Sequence, residues 1–148
     1  MRIDHFGMTV SSIETSEKFY SFFGFQPVYK KPELLDADWI SEMTSFPGTR
    51  LKVQLLKSTE SDAFIELLEY VNPRGENLAG MPTSSVGSAH LCFIVTDVEA
   101  ECAKLVAAGV SLRSGIITVP SGYTAAGVKS IYGSDPDGYT FELVQKPE

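Results

Sequence analysis

Ile3-Asp4-His5-Phe6-Gly7-Met8-Thr9-Val10 near the start of the chain and Ala89-His90-Leu91-Cys92-Phe93-Ile94-Val95 past its middle are the stretches that decide the fold. Each alternates apolar and other residues with a period of two, the signature of a half-buried strand. Each is answered downstream by a strand carrying a glutamate, Phe64-Ile65-Glu66-Leu67-Leu68 and Thr140-Phe141-Glu142-Leu143-Val144. The chain's 2 histidines are both used in this pattern. His5 and His90 stand 85 positions apart, and the same offset relates Val10 to Val95, Ser11 to Thr96, Glu14 to Glu99 and Gly24 to Gly109. Five coincidences at one spacing identify an internal repeat.

The matched positions have physical meanings. Ser11-x-x-Glu14 and Thr96-x-x-Glu99 read as capping boxes, in which a hydroxyl and a carboxylate satisfy the free amides of a helix start. Gly24 and Gly109 read as left-handed helix exits, a conformation glycine adopts cheaply. Each half is therefore expected to run strand, helix, then three strands. The first half has a strand over 3–10 and a helix over about 13–23 with a buried stripe of Ile13, Ser16, Phe19, Tyr20 and Phe23. Strands follow near 26–30, 51–57 and 63–70. The second has a strand over 89–95 and a helix over about 98–108 with Val98, Cys102, Leu105 and Val106 facing inward. Strands near 111–118, 127–133 and 139–145 follow, the last two joined by the Asp135-Pro136-Asp137-Gly138 turn. His5 to Glu66 spans about nine residues more than His90 to Glu142, an excess placed in an insertion over 31–49. The Pro-, Gly- and Ser-rich segment 71–88 reads as a linker between modules of about 1–70 and 89–148 in a single domain.

Composition narrows the partners. A formal charge of −7 and a pI near 4.8 argue against nucleic-acid or anionic-membrane surfaces. No apolar run approaches the roughly 20 residues that span a bilayer, and the first residues read as a strand, not a signal peptide. Cys92 and Cys102 are too few for a disulfide scaffold. A reducing, cytoplasmic setting and a small-molecule ligand are expected.

Alternation decides which way the four residues point. With Phe6, Met8 and Val10 under a helix, His5 lies on the opposite face; Leu91, Phe93 and Val95 leave His90 there too. Ile65 and Leu67 place Glu66 on that face, and Phe141 and Leu143 do the same for Glu142. Two imidazoles and two carboxylates make a donor set for one octahedral divalent ion per site: Zn, Ni, Co, Mn or Fe(II). Such an ion would act as a Lewis acid on adjacent substrate oxygens, with Glu142 and Glu66 as bases for a neighbouring C–H proton. Glu69, three residues from Glu66, falls on the helix side and is not expected to be a ligand. On the strand Arg50-Leu51-Lys52-Val53-Gln54-Leu55, the apolar set is expected to pack on the helix. That places Arg50, Lys52 and Gln54 toward substrate, where Arg50 and Gln54 are candidate substrate-binding residues. Tyr132 is another, and Cys92 a weaker one. Trp39, Ile40, Met43 and Phe46 in the insertion suit an apolar lid, an edge contact or a subunit contact.

These stretches resemble the vicinal oxygen chelate superfamily: glyoxalase I, methylmalonyl-CoA epimerase, extradiol dioxygenases and bleomycin resistance proteins. The likeness is carried by Ile3-Asp4-His5, Phe19-Tyr20-x-x-Phe23-Gly24-Phe25, Phe64-Ile65-Glu66-Leu67-Leu68, Ala89-His90-Leu91 and Asp135-Pro136-Asp137-Gly138 with Phe141-Glu142-Leu143. It implies an α+β fold of two βαβββ modules, a curled mixed sheet around a cleft with helices on the outer face. It also implies a metal held by His5, Glu66, His90 and Glu142, and a homodimer. The full ligand set favours the glyoxalase I and epimerase branch, a metal-dependent isomerase, epimerase or lyase. An Fe(II) ring-cleaving dioxygenase and a non-catalytic drug-binding resistance protein are the alternatives.

Overall fold

The computed structural model describes residues 1–147 and forms two compact units, Met1–Asn77 and Leu78–Glu148, dividing inside the expected linker. The fold is α+β, with three helices and two mixed sheets, one in each unit. Among the described residues no helix is long and apolar enough to cross a membrane.

In the first unit, β1 (Phe6–Thr9) leads to α1 (Ile13–Ser21), then to β2 (Phe25–Pro27), β3 (Glu33–Leu35), α2 (Asp38–Thr44), β4 (Arg50–Ser58) and β5 (Phe64–Asn72). The sheet order is β1-β5-β4-β2, with β3 also paired to β4. β1 runs parallel to β5, which requires a crossover, and α1 begins it. The insertion is thus structured: β3 extends the sheet, and α2 buries Ile40 while Trp39, Met43 and Phe46 stay exposed. Buried Ile13, Ser16, Phe19 and Tyr20 form the inner stripe of α1, and the Tyr20 hydroxyl donates to Met8 Sδ at 3.4 Å.

The second unit repeats the plan as β6 (His90–Ile94), α3 (Val98–Ala107), β7 (Ile117–Thr118), β8 (Lys129–Ser134) and β9 (Thr140–Gln145), in sheet order β6-β9-β8-β7 with β6 parallel to β9. α3 buries Val98, Cys102 and Leu105, but Val106, expected inward, is exposed. The strand expected over 111–118 shrinks to two residues and a Leu112–Gly133 bridge. The Asp135 turn forms as read, its Oδ1 accepting the amides of Asp137 and Tyr139 at 3.0 and 2.8 Å. Gly24 and Gly109 leave their helices at φ +75° and +83°, as their repeat position requires.

Both helices start one residue later than the capping-box reading. Ser12 accepts from the Thr15 amide at 3.3 Å, and Asp97 from the Ala100 amide at 2.9 Å. A second acceptor comes from the last strand of each unit. Glu69 Oε2 takes the Ile13 amide at 3.0 Å, and Gln145 Oε1 takes the Val98 amide at 2.9 Å. Glu69 and Gln145 each lie three residues beyond the repeat glutamate, so the clamp repeats with the fold. Four amides at a helix start lack partners within the helix, and each clamp satisfies one.

The expected orientation of β4 is wrong by one residue. Its register pairs Gln54 with Leu67, Lys52 with Glu69 and Leu56 with Ile65, all on the α1 face. Gln54 is 1% exposed; it donates to Glu17 Oε1 on α1 at 2.8 Å and to the Tyr29 carbonyl at 3.1 Å. Lys52 pairs with Glu69 at 2.7 Å. Leu51, Val53 and Leu55 take the other face, opposite Tyr70, Leu68 and Glu66. The reading failed because Lys52 and Gln54 find polar partners on the helix side and Leu55-Leu56 offers an apolar residue to both faces, while a bulge between Arg50 and Leu51 takes Arg50 out of the pattern. Partners on the helix side let Gln54 be buried there and hold Lys52 on the same face.

Two outcomes follow. A Cβ on Gly133 would collide with the ring of buried Phe141 across the β8–β9 pair. Gly133→Ala should therefore lower stability by about 1–3 kcal/mol, measured by denaturant unfolding. Burial alone would raise the Glu69 pKa, but hydrogen bonds from Lys52 and the Ile13 amide and the Lys52 charge outweigh it and hold it below the ordinary value of 4.5. A lowered folded-state pKa stabilises above the unfolded value, and that stability is lost as pH falls through the folded one. Glu69→Ala should cost about 1–2 kcal/mol at pH 7, Glu69→Gln less, and the gap between wild type and Glu69→Gln should close below pH 4.5 in urea unfolding.

Candidate metal centre

The parallel register of each unit brings its histidine and glutamate together. In the first, Gly7 pairs with Glu66 across β1 and β5, and His5, two residues before Gly7, shares the helix-free face. His5 Nε2 lies 3.3 Å from Glu66 Oε2. In the second, Cys92 pairs with Glu142 across β6 and β9, with His90 two residues before it. His90 Nε2 lies 3.2 Å from Glu142 Oε2. The same atoms meet at nearly the same distance in both units. The histidine side chains are 36% and 42% exposed, so each pair is open to a ligand.

The surroundings differ. Glu66 faces Leu55 on β4, and Val53 and Leu68 are beside it, an apolar floor. Glu142 faces Tyr132 on β8, whose ring centre is 5.4 Å from the His90 ring, and accepts the Ser130 hydroxyl on Oε1 at 2.6 Å. Burial, the Glu142 charge and a hydrogen bond to Glu142 push the Cys92 thiol up to about 11, so it stays protonated at neutral pH. His5 Nδ1 is 2.9 Å from Asp4 Oδ2.

Tyr132 thus stands beside a pair. Gln54, turned under α1, does not, and Arg50 is exposed beyond the bulge opposite Asn72. Asp4 and Ser130 were missed: alternation through the expected strand 3–10 puts Asp4 on the face opposite His5, but β1 starts only at Phe6, while alternation from Tyr132 would have placed Ser130 on the Glu142 face. Among the described residues no three His, Cys, Asp or Glu side chains cluster as a metal site, so the structural element is the two-residue pair. A surface depression lined by Gln26, Lys57, Thr59 and Asp62 contains none of these residues.

Known proteins share this plan. The chain is 31% identical over 146 residues to "Virulence protein STM3117" of Salmonella typhimurium, covering 97% of this chain and 83% of that protein. A glyoxalase family protein from Bacillus cereus superposes with a TM-score of 0.85 at 17% identity, over 100% of this chain and 95% of that one. The fosfomycin resistance protein FosX of Listeria monocytogenes, solved with Mn(II) and sulfate, gives 0.59 at 17% identity, over 99% and 93%. TnmS3, an antibiotic binding protein from a Streptomyces, gives 0.62 at 23% identity, over 99% and 97%. At these identities the structures show a common fold. A sequence profile matches residues 2–143, and with the Salmonella relative it shows that the chain belongs to the Glyoxalase/Bleomycin resistance protein/Dioxygenase superfamily.

Proposed function

We propose that the protein is a divalent-metal-dependent isomerase, epimerase or lyase that moves a proton next to a chelated substrate oxygen. The observation that carries this reading is the duplicated pair, His Nε2 against carboxylate Oε2 at 3.3 and 3.2 Å. Neighbouring ligands on one ion, at bond lengths of roughly 2.0–2.2 Å, lie about 3 Å apart, so each pair has the spacing of two adjacent ligands. Imidazole nitrogen and carboxylate oxygen suit Zn, Ni, Co, Mn or Fe(II), and Mn(II) in FosX supports the same class of ion. The proposed ligands are His5 and Glu66 in the first unit and His90 and Glu142 in the second.

When bound, the ion supplies a Lewis acid that draws charge from a substrate oxygen. The chain's own groups do the rest. Glu142 and Glu66 are the carboxylates available to remove a proton from carbon and return it, the two acts an isomerisation needs. Val53, Leu55 and Leu68 give Glu66 apolar neighbours. Tyr132 adds an aromatic ring 5.4 Å from that of His90.

His5→Ala and His90→Ala should each reduce bound divalent metal, measured by elemental analysis of protein purified without chelator, and leave the circular dichroism spectrum unchanged. Full metal content in both variants would sink the assignment. Glu142→Gln keeps an oxygen donor and loses basicity. It should retain metal yet lose about 10²-fold or more of solvent-deuterium exchange into small carbonyl carbon acids, followed by NMR. Catechol cleavage in air by the Fe(II)-loaded protein, without such exchange, would favour the dioxygenase reading. Tight binding of aromatic antibiotics by metal-free protein would favour the resistance reading.

A further inference from the structure

The two His–Glu pairs share one geometry but are steadied from opposite members. In the first unit the anchor is on the imidazole, where His5 Nδ1 meets Asp4 Oδ2 at 2.9 Å. The in-register neighbours of Glu66, Gly7 and Leu55, bring it no polar side chain. In the second unit the anchor is on the carboxylate, where the Ser130 hydroxyl donates to Glu142 Oε1 at 2.6 Å. The repeat shows that neither anchor has a counterpart. The 85-residue offset places Ala89 where Asp4 stands, and a methyl group cannot accept a hydrogen bond from an imidazole. Ser130 pairs with Val144, two residues past Glu142, and the matching position opposite Leu68 holds Val53.

We infer that Asp4 and Ser130 are positioning residues for metal binding, one for each unit; this rests on the metal reading above. A neutral imidazole has one N–H and one lone pair, so a carboxylate that accepts from Nδ1–H leaves the lone pair on Nε2, the atom facing Glu66. Glu142 takes the Ser130 hydroxyl on Oε1 and a further hydrogen bond from the Cys92 thiol, and its Oε2 lies toward His90. Outer partners of this kind orient ligands that otherwise sample other rotamers, and their loss lowers metal affinity by roughly 10–100-fold. His5 and Glu142 are the oriented ligands, and Glu66 and His90 the adjustable ones.

The test measures Mn(II) and Zn(II) affinity by chelator competition on the full chain, with thermal unfolding as a control. Asp4→Ala and Ser130→Ala should each weaken binding about 10-fold or more with unfolding midpoints unchanged, and Ser130→Thr, which keeps the hydroxyl, should restore it. Nitrogen-15 NMR gives a readout independent of metal. His5 should be the Nδ1–H tautomer in wild type and a mixture in Asp4→Ala, while His90 is unchanged. Wild-type affinity in both alanine variants, with an unaltered His5 spectrum, overturns this inference and leaves the metal reading intact. Wild-type protein that binds neither ion overturns the metal reading and this inference with it.

Discussion

The parallel pairing of the first strand of each unit with its last is the constraint on which the rest depends. It sets histidine beside glutamate in one register, β1 against β5 and β6 against β9. Parallel neighbours cannot be joined by a tight turn, so a helix must carry the chain between them. That helix covers one face of the sheet and leaves the other to the pair. Fold and site follow from one decision: a shift of one residue in either pairing would send the histidine, the glutamate or both beneath the helix.

Much of this was legible because the repeat supplies an internal control. Met8 and Leu67, or Leu91 and Phe141, state the buried face plainly, and the histidines and glutamates fall opposite them in both halves. What could not be read was the face of β4. Period-two reasoning assumes that polar residues turn away from a helix, yet Gln54 and Lys52 turn toward one because Glu17, Tyr29 and Glu69 wait there. Those partners lie 37, 25 and 17 positions away in sequence, and no local pattern announces them. The helix starts were read one residue early because Ser11 and Thr96 stand next to equally good caps, Ser12 and Asp97. Their second amide acceptor arrives from a distant strand.

Correcting β4 changes what surrounds Glu66. With Gln54 and Lys52 under the helix, the face beside Glu66 is built from Val53, Leu55 and Leu68, while that beside Glu142 carries Ser130, Tyr132 and Cys92. The halves keep the same two donor atoms at the same spacing and differ in everything around them. One carboxylate sits among hydrocarbon, the other among a hydroxyl, a phenol and a protonated thiol.

The clamps at Glu69 and Gln145 bear on what kind of change the chain tolerates. Each final strand carries a donor residue on one face and, three positions on, a helix clamp on the other. Odd spacing is what puts them on opposite faces. Within that span a substitution is a local matter: Gln145 serves where the first half uses Glu69, since both offer an oxygen. A single-residue insertion or deletion is not, because it would bring the clamp onto the donor's face and leave a helix start uncapped. The halves obey this. Their difference of about nine residues falls outside the Glu-x-x-Glu and Glu-x-x-Gln spans, in the segment that builds β3 and α2.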